Sequence, residues 1–237
     1  MLVCGDTADT PPGPSREPRT DLEKQLMSLF RLDASILPGT STSAELADLL
    51  EAEWSTAHPG EPVVRRHLGI DPLPADAWML ATTAGFTPDG ERTPAQIDAL
   101  ALAADLTAEL TDADAVLLAI PLYNFGVSQH VKTWIDLVGA AAGPAAAGLL
   151  KDKPTALVTV RGGGYGPGTP REGWDHSTPY LRRILGDFWQ ADLTVVEREL
   201  TLAATTPGME GLKDLAAQQH TEAQEAARHT GRTLAAK

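Results

Sequence analysis

Short apolar segments alternate with helical patterns along most of this chain, and this alternation limits the folds that it can adopt. Ala115–Ile120 is apolar throughout and Thr155–Val160 is nearly so, as is typical of strands that are covered on both faces. Leu29–Asp33, Pro62–Leu68 and Leu193–Leu200 also have the composition of strands. The pattern predicts an α/β fold, an open, doubly wound sheet of five parallel strands with helices on both faces.

Helix signals occupy the segments between these strands. Leu46, Leu50 and Trp54 lie at helical spacing after the first strand, and Thr42 with Glu45 fits a capping box. The first helix is therefore predicted to begin at about Thr42.

Other helices are predicted further along the chain. Thr93, Pro94 and Gln96 give the start signal of an Ala- and Leu-rich helix, whereas the Pro- and Gly-containing stretch 71–92 before it is predicted to be a long loop. Three more helical segments are predicted: the apolar stripe of Val131, Trp134, Ile135 and Val138, the short stretch Tyr180–Trp189, and the tail from Met209.

Length and charge narrow the class of protein. The 237 residues suit one domain over 29–237, preceded by a Pro- and Thr-rich extension, 1–28, that is predicted to be disordered. A net charge of −13 argues against nucleic acid as a partner. The single cysteine excludes an intramolecular disulfide and a cysteine-based zinc site. With neither a secretory leader nor a membrane-spanning run in view, we expect a soluble, cytoplasmic protein.

The loop after the first strand has the composition of an anion site. Ligands of open parallel sheets bind at the carboxyl ends of the strands. Four consecutive hydroxyl residues, Thr40–Ser43, open the first helix, where free N–H groups and the helix dipole attract an anion. The sequence has neither a P-loop motif nor a dinucleotide fingerprint here, so the phosphate of a mononucleotide is the candidate ligand. Ordinary helix capping remains the alternative.

Two further loops follow strands of the same sheet. Pro121–Phe125 offers main-chain polar groups, an amide side chain and aromatic edges, a mixture that suits a flat heterocycle. The glycines of Arg161–Gly168 would let backbone N–H groups approach a ligand closely. Simple packing of the aromatic side chains and a plain flexible turn are the respective alternatives.

Taken in order, these stretches resemble the flavodoxin-like FMN-dependent NADH-azoreductase and quinone reductase family. The resemblance runs from about Leu29 to Leu200 and includes "DASILPGTSTS", "PLYNFGVSQHVKTWID" and "GLLKDKPTALVTVRGG". It implies a flavodoxin-like fold with FMN as cofactor and NADH or NADPH as electron donor. It also implies ping-pong hydride transfer to a quinone, azo or related aromatic acceptor, and a homodimer with the site at the interface.

The same resemblance implies which residues bind the cofactor. Ser35, Ser41, Thr42 and Ser43 would hold the FMN phosphate. The isoalloxazine ring and the ribityl chain would lie between two segments, one of Pro121, Leu122, Tyr123, Asn124 and Phe125, the other of Val160, Arg161, Gly162 and Gly163. No catalytic side chain is assigned, but the amides of Gly162 and Gly163 are expected to stabilise charge on reduced flavin.

Two departures from the family pattern concern the acceptor side. In the first, the segment Gly139–Gly148 is shorter than in the family and lacks its aromatic wall, which predicts room for a larger acceptor. In the second, "DFWQAD" (Asp187–Asp192) replaces the family's Gly-Phe-x-Gly pattern, and Phe188 or Trp189 of this segment is the alternative wall. The changed wall motivates one alternative function, a flavin-dependent tailoring enzyme with a polycyclic aromatic substrate in a specialised pathway. A flavodoxin-type electron carrier is a second alternative, from another class of protein.

Single residues offer few other sites. The six histidines show no metal-binding spacing. Asp175, His176 and Ser177 are neighbours in sequence, which is not how catalytic triads are built. Tyr165 and His176 are candidates for substrate contact, with an exposed loop position as the alternative.

Overall fold

A computed structural model describes residues 27–237. Its centre is a sheet of five parallel strands in the order β2-β1-β3-β4-β5. The strands are β1 (Leu29–Asp33), β2 (Val63–His67), β3 (Ala115–Ala119), β4 (Pro154–Val160) and β5 (Asp192–Arg198). The predicted sheet is confirmed. The strand order reverses between β1 and β3, and in such sheets this switch point is where ligands bind.

Helices cover both faces, as predicted. They are α1 (Thr42–Ala57), α2 (Ala77–Ala84), α3 (Pro94–Asp112), α4 (Gln129–Ala142), α5 (Thr178–Arg182) and α6 (Lys213–Ala235). A π-helical turn, Arg183–Phe188, continues α5. Short 3-10 turns occupy Pro38–Thr40, Asp89–Glu91, Gly143–Ala146 and Glu210–Leu212.

A hydrophobic core lies on each face of the sheet, between the strands and the helices. Leu117 of β3 packs with α1 and α6, whereas its neighbour Leu118 packs with the layer of α2 to α5. Because alternate side chains face opposite cores, β3 has to be apolar throughout. Gly231 of α6 lies against the backbone of Leu50 in α1, where a Cβ would collide, so this helix pair requires glycine for its close approach.

The start of α1 differs from the prediction. Ser41, not Thr42, is the capping residue: its backbone is extended, and its Oγ accepts a hydrogen bond from the Ala44 amide at 3.2 Å. Glu45 does not complete a capping box, because its carboxylate binds His220 of α6 at 2.6 Å. In a run of hydroxyl residues, the backbone conformation decides which one caps the helix.

The prediction of a long loop over 71–92 is wrong in its middle, where α2 forms. This helix of eight residues has no side-chain cap. Its buried residues are Ala77, Ala81 and Ala84, and the first two pack in the core with α3 and α4. A helix this short depends on tertiary packing. The capping box of Thr93 and Gln96 is confirmed at the start of α3.

The predicted disordered extension lies almost wholly outside the described residues. Its last residue belongs to the fold, because the Ser28 amide donates to Asp114 Oδ2 at 2.8 Å. Over residues 27–237, no helix has both the length and the hydropathy that crossing a membrane requires.

Candidate functional site

The loop from β1 to α1 presents hydrogen-bond donors at the carboxyl edge of the sheet. The amides of Thr42 and Ser43 have no acceptor among residues 27–237, because they form the first turn of the 16-residue helix α1. Ser43 Oγ lies 3.1 Å from Ser41 Oγ. Ser41 and Thr42 line an open groove of about 430 Å³, whereas Ser43 is buried, and such a helix end suits a phosphate.

Two carboxylates of the same groove are paired with cations. Asp48 Oδ1 accepts from Arg31 at 2.6 Å, and Glu45 bonds His220 and lies 3.9 Å from Arg198. Burial raises the pKa of Glu45, but the hydrogen bonds from His220 and Gln224 and the nearby positive charges outweigh it, so that this pKa is lowered. The paired carboxylates repel an anion less than free ones would.

A tight turn follows β3. Tyr123 and Gly126 exchange backbone hydrogen bonds of 3.0 and 2.9 Å, and the two residues between them have positive φ, 45° at Asn124 and 69° at Phe125. Positive φ at both central positions is the requirement of a type I′ turn. Asn tolerates this conformation, but Phe pays strain of about 1–2 kcal/mol. Strain of this kind is often found at functional sites.

Backbone and side-chain contacts join the three loops. The Tyr123 hydroxyl accepts from the Ile36 amide at 3.1 Å and lies 3.4 Å from Ser35 Oγ. The Leu122 amide donates to the carbonyl of Val160 at 2.9 Å. The predicted residues of the β1, β3 and β4 loops therefore lie at one edge of the sheet.

The β4 loop presents two backbone donors. The carbonyl of Gly162 accepts from Leu202 and that of Gly163 from Leu200, while neither glycine amide has an acceptor among residues 27–237. A Cβ on Gly162 would lie 2.7 Å from Leu202 Cδ1, so only glycine fits there without a shift. These amides match the predicted donors, with Gly162 half-buried and Gly163 buried. Pro121 and Val160 are also buried, beneath the loops at this edge.

Arg161, predicted to bind the cofactor, has its side chain directed elsewhere. Its guanidinium binds Asp175 at 2.6 Å, Glu197 at 2.7 Å and Thr178 at 2.9 Å, and the residue is buried. Its amide and carbonyl are bonded to Arg198 and Thr201. Arg161 therefore anchors the loop to α5 and β5, and the prediction that it contacts the cofactor gains no support from its geometry.

Asp175 is the second half of this anchor. It accepts from the amides of Ser177 and Thr178 at 2.8 and 2.9 Å, at the start of α5. Burial raises the pKa of Asp175, but the hydrogen bonds from Thr178 and Arg161 outweigh it and lower that pKa. Asp175 thus holds the β4 loop in place. It forms no hydrogen bond with the His176 ring, as a catalytic triad would need.

Sequence reasoning missed two residues of this edge, Arg171 and Trp174. Trp174 meets the Phe125 ring edge to face, with centroids 5.4 Å apart, and the Tyr165 ring centroid lies 6.3 Å from that of Phe125. The guanidinium of Arg171 lies 5.8 Å from the centre of the Tyr165 ring. Only a cluster of bulky side chains within a glycine-rich loop hints at this grouping in the sequence.

The structure places the segment of the predicted acceptor wall away from the three loops of the same chain. α4 runs back from the carboxyl edge, and the segment after it is bonded to the stretch before β5, with Gly148 donating to Phe188 and Leu150 to Trp189 at 2.8 Å each. Since β4 and β5 both begin just after these residues, the segment lies at the amino ends of the strands. It cannot wall the loops at the other edge of this chain.

Trp189 cannot replace that wall either. It is 1 % exposed and packs edge to face on Trp134, with centroids 5.7 Å apart, inside the core. Phe188 is exposed, but it lines a mainly apolar groove of about 620 Å³ together with Trp78 and Phe86 of the α2 region and the outer side of α4. This groove is separate from the three loops.

Metal binding finds no geometric support in the part of the chain that the structure describes. No group of three or more His, Cys, Asp and Glu side chains there is arranged to hold an ion.

Known proteins are similar to this chain in sequence and in fold. A family model described as "Flavodoxin-like fold" matches residues 27–230. The chain therefore belongs to the flavodoxin-like fold family. Within it, the chain is similar to proteins named FMN-dependent NADH:quinone oxidoreductase. That of Frankia casuarinae is 36 % identical over 84 % of this chain and 96 % of its own length. That of Kineococcus radiotolerans is 38 % identical over 87 % and 99 %.

A solved structure agrees in fold. The crystal structure of an azoreductase from Bacillus anthracis superposes with a TM-score of 0.72 over 87 % of this chain and 99 % of that protein, at 24 % identity. At this identity the likeness concerns the fold. The predicted resemblance to the azoreductase and quinone reductase family is confirmed by the sequence relatives together with the fold.

Proposed function

We propose that this protein is an FMN-dependent oxidoreductase that passes electrons from NADH or NADPH to a quinone, an azo compound or a related aromatic acceptor. The observation that carries this proposal is the meeting of three donor-rich loops at the switch point of the sheet, with the free amides of Thr42, Ser43, Gly162 and Gly163. Support comes also from the sequence relatives, which are named FMN-dependent NADH:quinone oxidoreductase.

The residues present fit FMN. The free amides and hydroxyls at the start of α1 would hold a terminal phosphate, and no second anion site of a dinucleotide is needed. The turn Tyr123–Gly126 would border the flat ring on one side, with the glycine amides of the β4 loop on the other. When bound, FMN accepts a hydride from the nicotinamide and delivers the electrons to the acceptor.

The chain itself contributes position and electrostatics. Backbone amides that are fixed before the reaction stabilise developing negative charge without reorganisation, and Gly162 and Gly163 would do so at the flavin edge. The overall reaction converts NADH and one proton with a quinone into NAD⁺ and a hydroquinone. Solvent can supply the proton at this exposed edge, so no side-chain acid is assigned. Donor and acceptor would use the same edge in turn, which is a ping-pong mechanism.

Cofactor identity and turnover test this proposal. Protein loaded with FMN should oxidise NADH continuously when a quinone is supplied, with parallel lines in double-reciprocal plots at different quinone concentrations. Release of FAD on heating, or failure to take up flavin, would reject it. An electron carrier would bind FMN yet show no sustained NADH oxidation. No observation favours the polycyclic tailoring reaction, because the shortened segment lies at the opposite edge of the sheet.

We also propose a homodimer, which would act in the cytoplasm, where NADH and NADPH are available. Exposed apolar side chains flank the groove between α2, α4 and the π-helical turn, with Trp78 at 48 % and Phe86 at 86 % exposure. Exposed patches of this kind mark interaction sites. Sedimentation should give twice the mass of one chain, and Phe86→Asp should lower it. A single-chain mass for the wild-type protein would reject the dimer.

A further inference from the structure

Three aromatic rings and one cation form a continuous row at the carboxyl edge. The row runs from Trp174 to Phe125, on to Tyr165 and then to Arg171, with ring-centroid distances of 5.4 and 6.3 Å and the guanidinium 5.8 Å from the last ring. Trp174 is 52 % exposed and Phe125 38 %. We call these four residues the aromatic row.

Hydrogen bonds of the backbone hold the aromatic row in place. The amide of His176, beside Trp174, donates to the carbonyl of Phe125 at 2.8 Å, which ties the β4 loop to the turn after β3. The Tyr165 amide donates to Glu199 at 3.0 Å. Together with the Arg161–Asp175 anchor, these bonds give the exposed rings a fixed backbone, as a binding surface needs.

Arg171 closes the row next to the glycine amides. A Cβ built on Gly163 would collide with Nη1 of Arg171, so the guanidinium lies directly against this glycine. Within residues 27–237 Arg171 forms no salt bridge. Two carboxylates of the adjoining segments are engaged elsewhere: Glu172, the next residue in the chain, accepts from the Gly168 amide at 2.7 Å, and Glu199 binds the Tyr165 amide.

We infer that the aromatic row is an acceptor subsite that selects aromatic acceptors bearing an anionic group, such as a sulfonate or carboxylate. The rings supply a face for a flat molecule, and Arg171 supplies a bidentate partner for its anion. On a protein of net charge −13, an anionic acceptor needs such a local cation. The inference rests on the proposed function and names the acceptor class for that site.

The test separates the two half-reactions. FMN-loaded protein is first reduced anaerobically with NADH and is then mixed with one of two acceptors, anthraquinone monosulfonate or an uncharged hydroxymethyl anthraquinone. The second-order rate constant of reoxidation is measured for each. Arg171→Gln should lower the rate constant for the sulfonate by about tenfold and leave the uncharged acceptor within about twofold. Arg171→Lys should recover part of the loss, since it keeps the charge.

Matched variants define the control. Arg183→Gln changes the net charge equally, but this residue pairs with Asp187 at 2.7 Å on the π-helical turn. It should change neither rate constant. Trp174→Ala should slow both acceptors by about threefold to tenfold, because ring contacts do not depend on charge.

Two results would overturn the inference: an unchanged ratio of the two rate constants in Arg171→Gln, or equal slowing of reduction by NADH, which would assign Arg171 to the donor. A calorimetric titration of the flavin-free protein with anthraquinone monosulfonate provides an independent measurement. Its affinity should fall in Arg171→Gln and not in Arg183→Gln. If NADH fails to reduce the loaded protein, the proposed function fails, and this titration alone decides the subsite.

Discussion

The hydroxyl of Tyr123 accepts a hydrogen bond from the amide of Ile36 at 3.1 Å, and so connects the turn after β3 to the loop that opens α1. Tyr123→Phe removes this bond and leaves the ring in place. A hydrogen bond of this kind contributes about 1 kcal/mol, so we expect FMN to bind about fivefold more weakly, measured by quenching of flavin fluorescence.

Tyr180→Phe is the matched control, because Tyr180 lies on α5 beside the apolar groove, away from the three loops. It should leave FMN affinity unchanged. Equal affinity in Tyr123→Phe and the wild-type protein would mean that the bond between the loops does not order the cofactor site.

The paired hydroxyls of Ser41 and Ser43 offer a test of phosphate binding. Replacing both with Ala should weaken FMN binding by tenfold or more, since a hydrogen bond to a charged group contributes about 1.5–3 kcal/mol. The loss of the Ser41 cap should also lower the free energy of unfolding by about 1 kcal/mol.

Thr93→Ala separates these two effects. Thr93 caps α3 as Ser41 caps α1, but it lies outside the three loops. It should lower stability by a similar amount with no change in FMN affinity. If the double serine variant kept its affinity, the phosphate would bind elsewhere.

Because φ of Phe125 is positive, we predict that replacing Phe125 with Gly destabilises the protein less than replacing it with Ala. Phe125→Gly and Phe125→Ala remove the same ring, but only Gly adopts φ of 69° without strain. We expect Phe125→Gly to exceed Phe125→Ala by about 1 kcal/mol in the free energy of unfolding, measured in urea. An Ala variant that equalled or exceeded the Gly variant would contradict the turn geometry.

The lowered pKa of Asp175 predicts a pH dependence of stability. Burial raises this pKa, but the hydrogen bonds from Thr178 and Arg161 lower it more. The carboxyl of the folded protein therefore stays ionised at a pH where the same carboxyl of the unfolded chain already binds a proton. Its stabilising contribution is therefore full above the unfolded pKa and is lost as pH falls through the folded pKa. Asp175→Asn should cost about 2–3 kcal/mol at about pH 7 and progressively less below about pH 4.

Urea unfolding across this pH range measures the effect, with Asp187→Asn as control. Asp187 forms an exposed ion pair with Arg183, and a pair of this kind contributes little to stability. A constant difference between Asp175→Asn and the wild-type protein at every pH would show that the charge of Asp175 does not matter.

The sheet was predictable from sequence because each buried strand has to be apolar on both faces. The two cores of β3 at Leu117 and Leu118 make this plain. α2 escaped prediction because Pro and Gly residues surround it and no side chain caps it. Its signal was the spacing of Ala77, Ala81 and Ala84, which a search for large apolar residues overlooks.

The candidate site was predictable as three loops, but not in its side-chain directions. Alternate side chains along a strand face the same side of the sheet. Arg161, two residues after Thr159 of β4, therefore faces the same side as Thr159, which is the side covered by α5. Its partners Asp175 and Glu197 are distant in sequence, so the anchor appears only once β5 lies beside β4. For the same reason the row from Trp174 to Phe125 needs the folded loops.

A single anaerobic experiment tests the flavin chemistry most directly. The purified protein is titrated with FMN, freed of excess flavin, mixed with one equivalent of NADH and then with one equivalent of a quinone. We predict that one FMN binds per chain, that NADH bleaches its absorption and that the quinone restores it in full. Absence of bound FMN, or FMN that NADH leaves oxidised, would contradict the proposed oxidoreductase.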